Sequence, residues 1–307
     1  MILSITLNPS VDIAYRIPEF YLNNANRCNF TQKTAGGKGL NVARVLKSLG
    51  MEVMATGFLG GTNGHFIEYE IEKEGIASDF VTIKDSTRNC IAILHGTQQT
   101  EILEEGPDIN QEEVTRFIGK MASLFQKADV ITASGSLPKG IPAEFYAELI
   151  SLAKRYGKPF LLDTSGKALK AAIDAGPLFI KPNLEEFGTL VGGKLTNEKE
   201  AIKALLAFDS NIKFVMVTLG ANGALIKTEQ TIFKVTIPAV DAVNPVGSGD
   251  SVVAGFAAGL AKGMDGETLF SYSTTMGVLN TLETKTGSVN PSLVSNYQHQ
   301  ISVTKIS

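Results

Sequence analysis

The chain has 307 residues, a formal net charge of −3 and an apolar content of 44%, as ordinary globular proteins do. No basic run marks a nucleic-acid-binding surface, and no apolar segment approaches the roughly 20 residues that span a bilayer. Cys28 and Cys90 are the only cysteines, which excludes a disulfide framework and a thiolate metal site. Because the N-terminus lacks the pattern of a signal peptide, we expect a cytoplasmic protein.

Apolar periodicity predicts alternating strands and helices along most of the chain. The sequence begins with a strand over 2–7 and a helix over 40–49 that follows a glycine loop. Further predicted helices span 66–74, 111–126, 143–156, 167–175, 184–191 and 198–208, and the helix over 268–282 closes the chain. Further predicted strands span 53–58, 130–133, 159–163, 178–181 and 214–218, with hairpins over 88–95/97–103 and 224–227/231–235.

This alternation predicts an α/β fold with a parallel sheet covered on both faces, whose ligands bind beyond the carboxyl ends of the strands. Polar clusters fall at those ends, around 8–12, 134–136, Asp163, 181–183 and 218–220. The segments around 11–34 and 87–105 do not fit the alternation, so we interpret them as a small β layer that closes over the site. No linker is recognisable, which indicates one domain over 1–307 with this layer as a lid.

A glycine loop over 244–251 precedes an apolar helix that is predicted to begin near Ser248. Bare backbone N–H groups at a helix N-terminus favour an anion. Asp250 in such a place could take a proton from a hydroxyl while the amides hold a phosphate that accepts charge. The alternative is that Asp250 only complements the helix dipole.

Three other groups of residues suit the same chemistry. In the first glycine loop, Lys38 supplies a positive charge and Asn41 a hydrogen-bonding amide, although a tight turn with a solvated lysine is the alternative. Asn183 and Glu186 form a capping-box pattern, and their oxygens also suit a hydrated magnesium ion. Arg27 and Arg88, in the predicted lid, either neutralise a substrate phosphate or are ordinary surface charges.

Residues 35–43 resemble the first signature of the ribokinase-like (PfkB) carbohydrate kinases, and residues 246–251 resemble the second. The resemblance extends over essentially the whole chain. It implies a ribokinase-like three-layer α/β/α fold with a mainly parallel central sheet and a small β-sheet lid. It also implies a phosphotransferase that uses ATP and Mg²⁺, and a possible homodimer formed through the lid.

Within the family, residues 7–12, 87–94 and 135–140 resemble the branch that phosphorylates ketohexose monophosphates. Residues 87–90, 98–104 and 244–250 are most similar to tagatose-6-phosphate kinases, which implies conversion of D-tagatose 6-phosphate to D-tagatose 1,6-bisphosphate. A 1-phosphofructokinase is the alternative. A non-catalytic sugar-phosphate-binding regulator is a remote alternative, which the intact loop over 247–250 argues against.

The resemblance implies that Asp250 is the general base for the sugar C1 hydroxyl. The amides of Gly247, Ser248 and Gly249 would form the anion hole. Substrate-binding roles fall on Asp12, Arg27, Gly37, Lys38, Asn41, Arg88, Ser136 and Lys139. Nucleotide-binding roles fall on Lys181, Asn183, Glu186, Thr218, Gly220 and Asn280, with Asn183 and Glu186 also near Mg²⁺ through water. The second signature usually opens with Asp-Thr, and Asn244 and Pro245 stand there instead.

Overall fold

The computed structural model describes residues 1–96, 98–229 and 231–306, so the predicted strand start at Thr97 lies outside the described residues. The strands are β1 Ile2–Thr6, β2 Ser10–Ile17, β3 Phe30–Gly36, β4 Val53–Gly60, β5 Ala77–Ser78, β6 Val81–Ile83, β7 Arg88–His95, β8 Gln98–Leu103, β9 Val130–Ser134, β10 Phe160–Asp163, β11 Phe179–Ile180, β12 Phe214–Thr218, β13 Ala224–Lys227, β14 Ile232–Thr236 and β15 Ser302–Lys305. The helices are α1 Lys38–Ser48, α2 Gly61–Lys73, α3 Gln111–Lys127, α4 Phe145–Arg155, α5 Gly166–Ala172, α6 Leu184–Leu190, α7 Glu198–Ala207, α8 Ser248–Ala261, α9 Gly266–Thr281 and α10 Val294–Gln298.

A large twisted sheet forms the centre of the molecule. Its strand order is β15-β14-β13-β12-β11-β10-β9-β1-β4-β5, with β6 paired to β4. The pairs from β12 through β4 to β5 are parallel, and β13, β14 and β15 continue the sheet in antiparallel fashion. The mainly parallel central sheet is therefore confirmed.

Apolar side chains on the two faces of this sheet pack against different helices. In β10, Leu161 faces a core that includes Val253 of α8, whereas Phe160 and Leu162 face a core that includes Phe117 of α3. Successive residues of a strand point to opposite faces, so a wholly apolar strand contributes to both cores. The α/β/α layering follows from this. In the described residues, no helix is long and apolar enough to cross a membrane.

The strands that break the regular alternation form a second, four-stranded sheet in the order β3-β2-β7-β8. β2 and β7 are parallel, and β3 and β8 are antiparallel edge strands. Helix α2 packs against β2 and β3, while β8 is exposed along its whole length. The small sheet is confirmed, and its action as a lid on a single domain stays a prediction.

The predicted end of the chain was wrong. α9 is followed by a 3₁₀ turn, the short helix α10 and the strand β15, which pairs antiparallel with β14. β15 is short, mostly polar and largely exposed at the sheet edge, so apolar alternation does not reveal it. Main-chain pairing attaches it to β14, and of its four side chains only Val303 packs against the core.

Candidate active site

Polar residues lie at the carboxyl ends of neighbouring parallel strands. β9 ends at Ser134, β10 ends at Asp163, and Lys181 follows directly after β11. Helices α1 and α8, which follow the two glycine loops, pack against each other at this sheet. Asn41 of α1 donates a hydrogen bond from Nδ2 to Asp250 Oδ2 at 2.8 Å across 209 residues of sequence. The two loops that the sequence separates are therefore parts of one site.

Asp250 is the third residue of α8 and only 6% exposed. The helix begins after Gly247, which has a left-handed conformation and offers no side-chain cap. Ser248 N donates to Pro245 O at 3.3 Å. Among the described residues, the amides of Gly247 and Gly249 have no hydrogen-bond acceptor. The turn thus presents unpaired N–H groups beside a buried carboxylate, as an anion site requires.

Asp250 shares its surroundings with a second carboxylate and two lysines. Asp163, 1% exposed, lies between Lys181 Nζ, 3.4 Å from its Oδ1, and Lys38 Nζ, 3.7 Å from its Oδ2. Burial, together with the charge of Asp163, raises the pKa of Asp250 to about 6. The hydrogen bond from Asn41 and the charges of Lys38 and Lys181 oppose that shift. At neutral pH Asp250 is consequently ionised, but it is a stronger base than an ordinary aspartate.

The first glycine loop brings backbone close to Asp12. Ser10 Oγ donates to Asp12 Oδ1 at 2.6 Å, and burial raises the pKa of the Asp12 carboxyl. A Cβ atom at Gly36 would collide with that carboxyl group, so only glycine fits there. Gly37 has a φ of +123°, and a Cβ there would lie 2.9 Å from Thr6 Cγ2. The loop therefore holds its main chain against an acidic side chain.

Four other predicted substrate residues lie near the small sheet. Ser136 Oγ accepts a hydrogen bond from Asn8 Nδ2 at 3.1 Å. Arg88 donates to Glu104 O at 2.8 Å and to Asn8 O at 3.1 Å, and its buried Nε has no partner among the described residues. Lys139 and Glu105 form an exposed ion pair of 2.7 Å. Arg27 lies exposed in the loop between β2 and β3 and forms no hydrogen bond or ion pair with the described residues, so the structure does not join it to the other predicted groups.

Several of the predicted nucleotide-binding residues lie at the start of α6 and around an open cavity. Asn183 and Glu186 form the reciprocal capping box of α6, as the sequence predicted, with both bonds at 2.8 Å. Asn183 also forms an isolated parallel bridge with Thr218. A cavity of about 360 Å³ is lined by Asn183, Thr218 and Gly220, among others. These three predicted residues therefore share one wall of an open cavity.

Asn280 lies fully buried beside the turn that precedes α8. Its Nδ2 donates to Val246 O at 2.9 Å, and its Oδ1 accepts from Gly287 N at 2.9 Å and from Ser288 N at 3.3 Å. Asn244 stands in the same turn, where Oδ1 accepts from Val246 N at 3.0 Å and Nδ2 donates to Thr286 Oγ1 and Thr284 O. A carboxylate at 244 could not make those donations. Both amides thus join the turn to the loop over 283–289.

The residues present fit a hydrated magnesium ion. The capping box uses Oε2 of Glu186, and its Oε1 has no hydrogen-bond partner among the described residues. A magnesium ion in proteins keeps several waters and takes one or two carboxylates together with phosphate oxygens. No group of three or more His, Cys, Asp and Glu side chains with metal-binding geometry occurs among residues 1–96, 98–229 and 231–306. Glu186 and Asn183 would hold such an ion through water.

Sequence reasoning placed Asp163 and Asn8 in polar clusters but assigned them no role, and it missed Arg44. The signal for Asp163 was an acidic residue at the carboxyl end of an apolar strand. Neither carboxylate oxygen of Asp163 has a hydrogen-bond donor among the described residues, although both are buried. Arg44 carried no signal, because an arginine in an amphipathic helix usually faces solvent.

The chain resembles known carbohydrate kinases over its whole length. The profile of the pfkB family carbohydrate kinases matches residues 5–293. A protein of Staphylococcus epidermidis named tagatose-6-phosphate kinase is 46% identical over 310 residues, covering 100% of both chains. The phosphofructokinase-2 of Escherichia coli, solved in complex with fructose-6-phosphate, has a TM-score of 0.89 and 29% identity over 97% of this chain and 98% of its own.

A tetrameric inhibited form of the same E. coli enzyme superposes with a TM-score of 0.89 at 29% identity, over 97% of this chain and 99% of that chain. These similarities confirm the ribokinase-like fold that the two glycine signatures indicated. A match over nearly the full sequence, together with a full-length relative at 46% identity, leads to one conclusion. The chain belongs to the pfkB family of carbohydrate kinases and is a phosphotransferase.

Proposed function

We propose that this kinase transfers the γ-phosphoryl group of ATP to the C1 hydroxyl of D-tagatose 6-phosphate and forms D-tagatose 1,6-bisphosphate. The observation that carries the proposal is the buried Asp250 carboxylate at the N-terminus of α8, beside the unpaired amides of Gly247 and Gly249. The substrate is supported by the tagatose-6-phosphate kinase that matches the whole chain. Because ATP and sugar phosphates are cytoplasmic, we place the reaction in the cytoplasm.

Asp250 acts as the general base. It accepts the proton of the C1 hydroxyl as that oxygen attacks the γ-phosphorus, and the bond from phosphorus to the β-phosphate oxygen breaks. The unpaired amides of Gly247 and Gly249 stabilise the charge on the transferring group, whereas the amide of Ser248 would have to exchange its 3.3 Å bond to Pro245 O for the phosphate. Magnesium, when bound, neutralises phosphate charge. Lys38 and Lys181 add two positive charges close to Asp250, as their effect on its pKa indicates.

The other predicted residues divide between the two substrates. Asp12, Gly37, Asn41 and Ser136 would hold sugar hydroxyls, and Arg27, Lys38, Arg88 and Lys139 would meet the sugar phosphate. The buried, unpartnered Nε of Arg88 supports an anion nearby, since a buried donor without an acceptor is costly. Lys181, Asn183, Glu186, Thr218, Gly220 and Asn280 would contact or support the nucleotide. Closure of the small sheet would exclude water, which competes with the sugar for the phosphoryl group.

The substrate is tested by comparing kcat/KM for tagatose 6-phosphate, fructose 6-phosphate and fructose 1-phosphate with ATP. We expect tagatose 6-phosphate to give the highest value. Preference for fructose 1-phosphate would support the 1-phosphofructokinase alternative, and preference for fructose 6-phosphate would also reject our substrate. Absence of ATP turnover with all three sugar phosphates would favour the non-catalytic regulator, and turnover that depends on any of them would exclude it.

The role of Asp250 is tested by Asp250→Asn, with the exposed Asp209→Asn as the control. The asparagine cannot accept the proton, so we expect kcat to fall by about 10²–10⁴-fold. ATP and sugar phosphate should still bind, as calorimetry would measure. Near-normal kcat in Asp250→Asn would refute the base assignment.

We also propose that two copies of the chain associate through the small sheet. β8 is an exposed edge strand that carries Ile102 and Leu103 at 54% and 61% exposure. Exposed apolar edge strands tend to pair with another chain. The tetrameric form of the E. coli enzyme shows that a relative assembles.

A further inference from the structure

Arg44 is a buried arginine beside the proposed catalytic base, and the proposed reaction gives it no role. It lies in α1, one turn after Asn41, and is 8% exposed. Its Nε donates to Glu74 Oε2 at 2.7 Å, one terminal nitrogen donates to Asn41 Oδ1 at 2.9 Å, and the other donates to Ala35 O. The guanidinium therefore bridges the end of α2, the first glycine loop and Asn41.

These contacts determine which amide atom of Asn41 faces Asp250. An arginine only donates hydrogen bonds and an ionised carboxylate only accepts them. With Oδ1 bound to Arg44, Nδ2 is directed to Asp250 Oδ2 at 2.8 Å. A reversed amide would place its oxygen against the carboxylate and its nitrogen against the guanidinium, and both contacts would be repulsive. Among the described residues, no other donor binds Oδ1, so Arg44 alone fixes the orientation of the amide from that side.

A second contact packs directly on Asn41. Gly287, with a φ of +67°, packs so closely that a Cβ there would lie 2.9 Å from Asn41 Cβ. Its loop is tied back to Glu74, because Lys285 Nζ lies 2.5 Å from Glu74 Oε1. Glu74 thus binds both Arg44 and the loop that packs on Asn41. Gly287 N donates to Asn280 Oδ1, so the loop that packs on the Asn41 amide is also connected to the turn that precedes α8.

We propose that Arg44 is a positioning residue for phosphoryl transfer, which holds the Asn41 amide so that its Nδ2 donates to Asp250. The inference rests on the proposed role of Asp250 as the base. Arg44 itself touches neither Asp250 nor the predicted nucleotide residues. It acts through Asn41.

The expected consequence is a change in the pH dependence of the reaction. Asp250 is faced by Asp163 at the end of β10, by Lys38 and Asn41 on α1, and by Lys181 after β11. Of these, Asn41 and the lysines lower the pKa of Asp250, and burial and Asp163 raise it. If the Asn41 amide reverses or drifts, the ionised carboxylate loses a donor, so its pKa rises further.

The test compares Arg44→Met and Arg44→Lys with Lys120→Met as a matched control. Lys120 likewise binds a carboxylate, that of Asp79, and a main-chain carbonyl, that of Phe80, but lies on α3. In Arg44→Met we expect the acidic limb of the kcat/KM profile to move up by about one pH unit. Arg44→Lys should fold, since its ammonium can pair with Glu74, yet shift the limb in the same direction because one nitrogen replaces the guanidinium fork. Lys120→Met should leave the limb unchanged.

A double variant distinguishes an effect of Arg44 through Asn41 from an effect through Asp12. Arg44 also lowers the pKa of Asp12 through its charge, so a shift could come from that carboxyl. In an Asn41→Ala background, Arg44→Lys should cause no additional shift if Arg44 acts through Asn41. A shift of the same size in that background would overturn the inference, as would unchanged profiles in both single variants.

These outcomes are distinct from failure of the proposed function. If Asp250→Asn keeps normal kcat, the base assignment fails, whatever Arg44 does. If Asp250→Asn is inactive and both Arg44 variants keep the parent profile, only the positioning role fails. Circular dichroism and thermal melting establish whether each variant is folded. If Arg44→Met does not fold, the pH profile of Arg44→Lys still tests the positioning role.

Discussion

The Asp250 carboxylate owes its properties to where it lies. Burial disfavours its charged form, and Asp163 adds a like charge, while Asn41, Lys38 and Lys181 favour ionisation. The result is a pKa of about 6, which lies close to neutrality. A base with such a pKa is ionised at pH 7 and still has appreciable proton affinity, the combination that general base catalysis favours.

The pH dependence of kcat/KM should report this carboxylate. We expect activity to fall about tenfold per unit as the pH decreases below about 6, because protonated Asp250 cannot accept a proton. Initial rates between pH 5 and 8, at fixed ionic strength and saturating magnesium, measure it. A profile that stays flat to pH 4.5 would contradict the assigned base.

Removal of this charge should stabilise the fold. Because the folded-state pKa of Asp250 is raised from 3.8 to about 6, the folded protein binds the proton more tightly, and stability is lost as the pH rises through that window. Asp250→Asn should therefore raise the free energy of unfolding at pH 7.5 by up to roughly 3 kcal/mol, with little effect below pH 4. Urea denaturation at both pH values measures the difference. An equal change in the free energy of unfolding at the two pH values would contradict a raised pKa of Asp250.

At the scale of elements, the N-terminus of α8 depends on the conformation of one glycine. Gly247 has a φ of +83°, and a Cβ there would lie 2.6 Å from Thr286 Cγ2. Gly263, after the other end of the same helix, also has a positive φ of +74° but faces open space. At both positions an L-residue would be strained by the positive φ, but only at Gly247 would its side chain meet close neighbours.

Alanine substitution at these glycines should separate stability from catalysis. Gly263→Ala should cost about 1–2 kcal/mol of folding free energy, because an L-residue is strained in the left-handed region, and Gly247→Ala should cost more, because its Cβ would also collide with Thr286. Only Gly247→Ala should lower kcat, by about 10²-fold, since it displaces the amides of the anion hole. Urea denaturation and steady-state kinetics measure both effects. Equal losses of kcat in Gly247→Ala and Gly263→Ala would count against the anion hole.

Arg88 on β7 joins the end of β8 to the turn between β1 and β2 through Glu104 O and Asn8 O. If its free Nε meets the sugar phosphate, Arg88→Ala should raise KM for the phosphorylated sugar at least about tenfold and change KM for ATP less than about twofold. Arg16→Ala, an exposed arginine on the same sheet, is the control. Equal increases in both KM values would indicate a general loss of lid structure instead.

At the scale of the whole molecule, the central sheet decides which residues meet. Parallel strands deliver Ser134, Asp163 and Lys181 to one edge, and α1 and α8 pack together there. The small sheet leaves β8 as an exposed edge, where a second copy could pair. The site is therefore a consequence of how the strands of the central sheet are ordered.

Association through β8 should be sensitive to a charge on that strand. We expect sedimentation to show a dimer or larger oligomer at micromolar concentration and Ile102→Lys to shift it toward monomer. Leu206→Lys, at a position 59% exposed on α7, is the control and should change nothing. A monomeric parent protein, or an Ile102→Lys variant that still assembles, would exclude this interface.

The features predicted best from sequence are those that neighbours along the chain determine. The capping box of Asn183 and Glu186 is confirmed, because both partners lie within one helical turn. The helix start at Ser248 is confirmed for the same reason. β15 was missed because an exposed polar edge strand has no apolar pattern, and Arg44 was missed because helical spacing does not reveal what covers it.

By itself, the sequence determined the alternation of strands and helices up to α9, the two glycine loops and the family they resemble. Only the tertiary structure decided that Asn41 binds Asp250, that Asp163 lies between two lysines, and that Arg44 is buried behind Asn41. The physical reason is that propensity and capping act over a few residues of chain. Burial and charge act over a few ångströms of space, and here they join residues 209 positions apart.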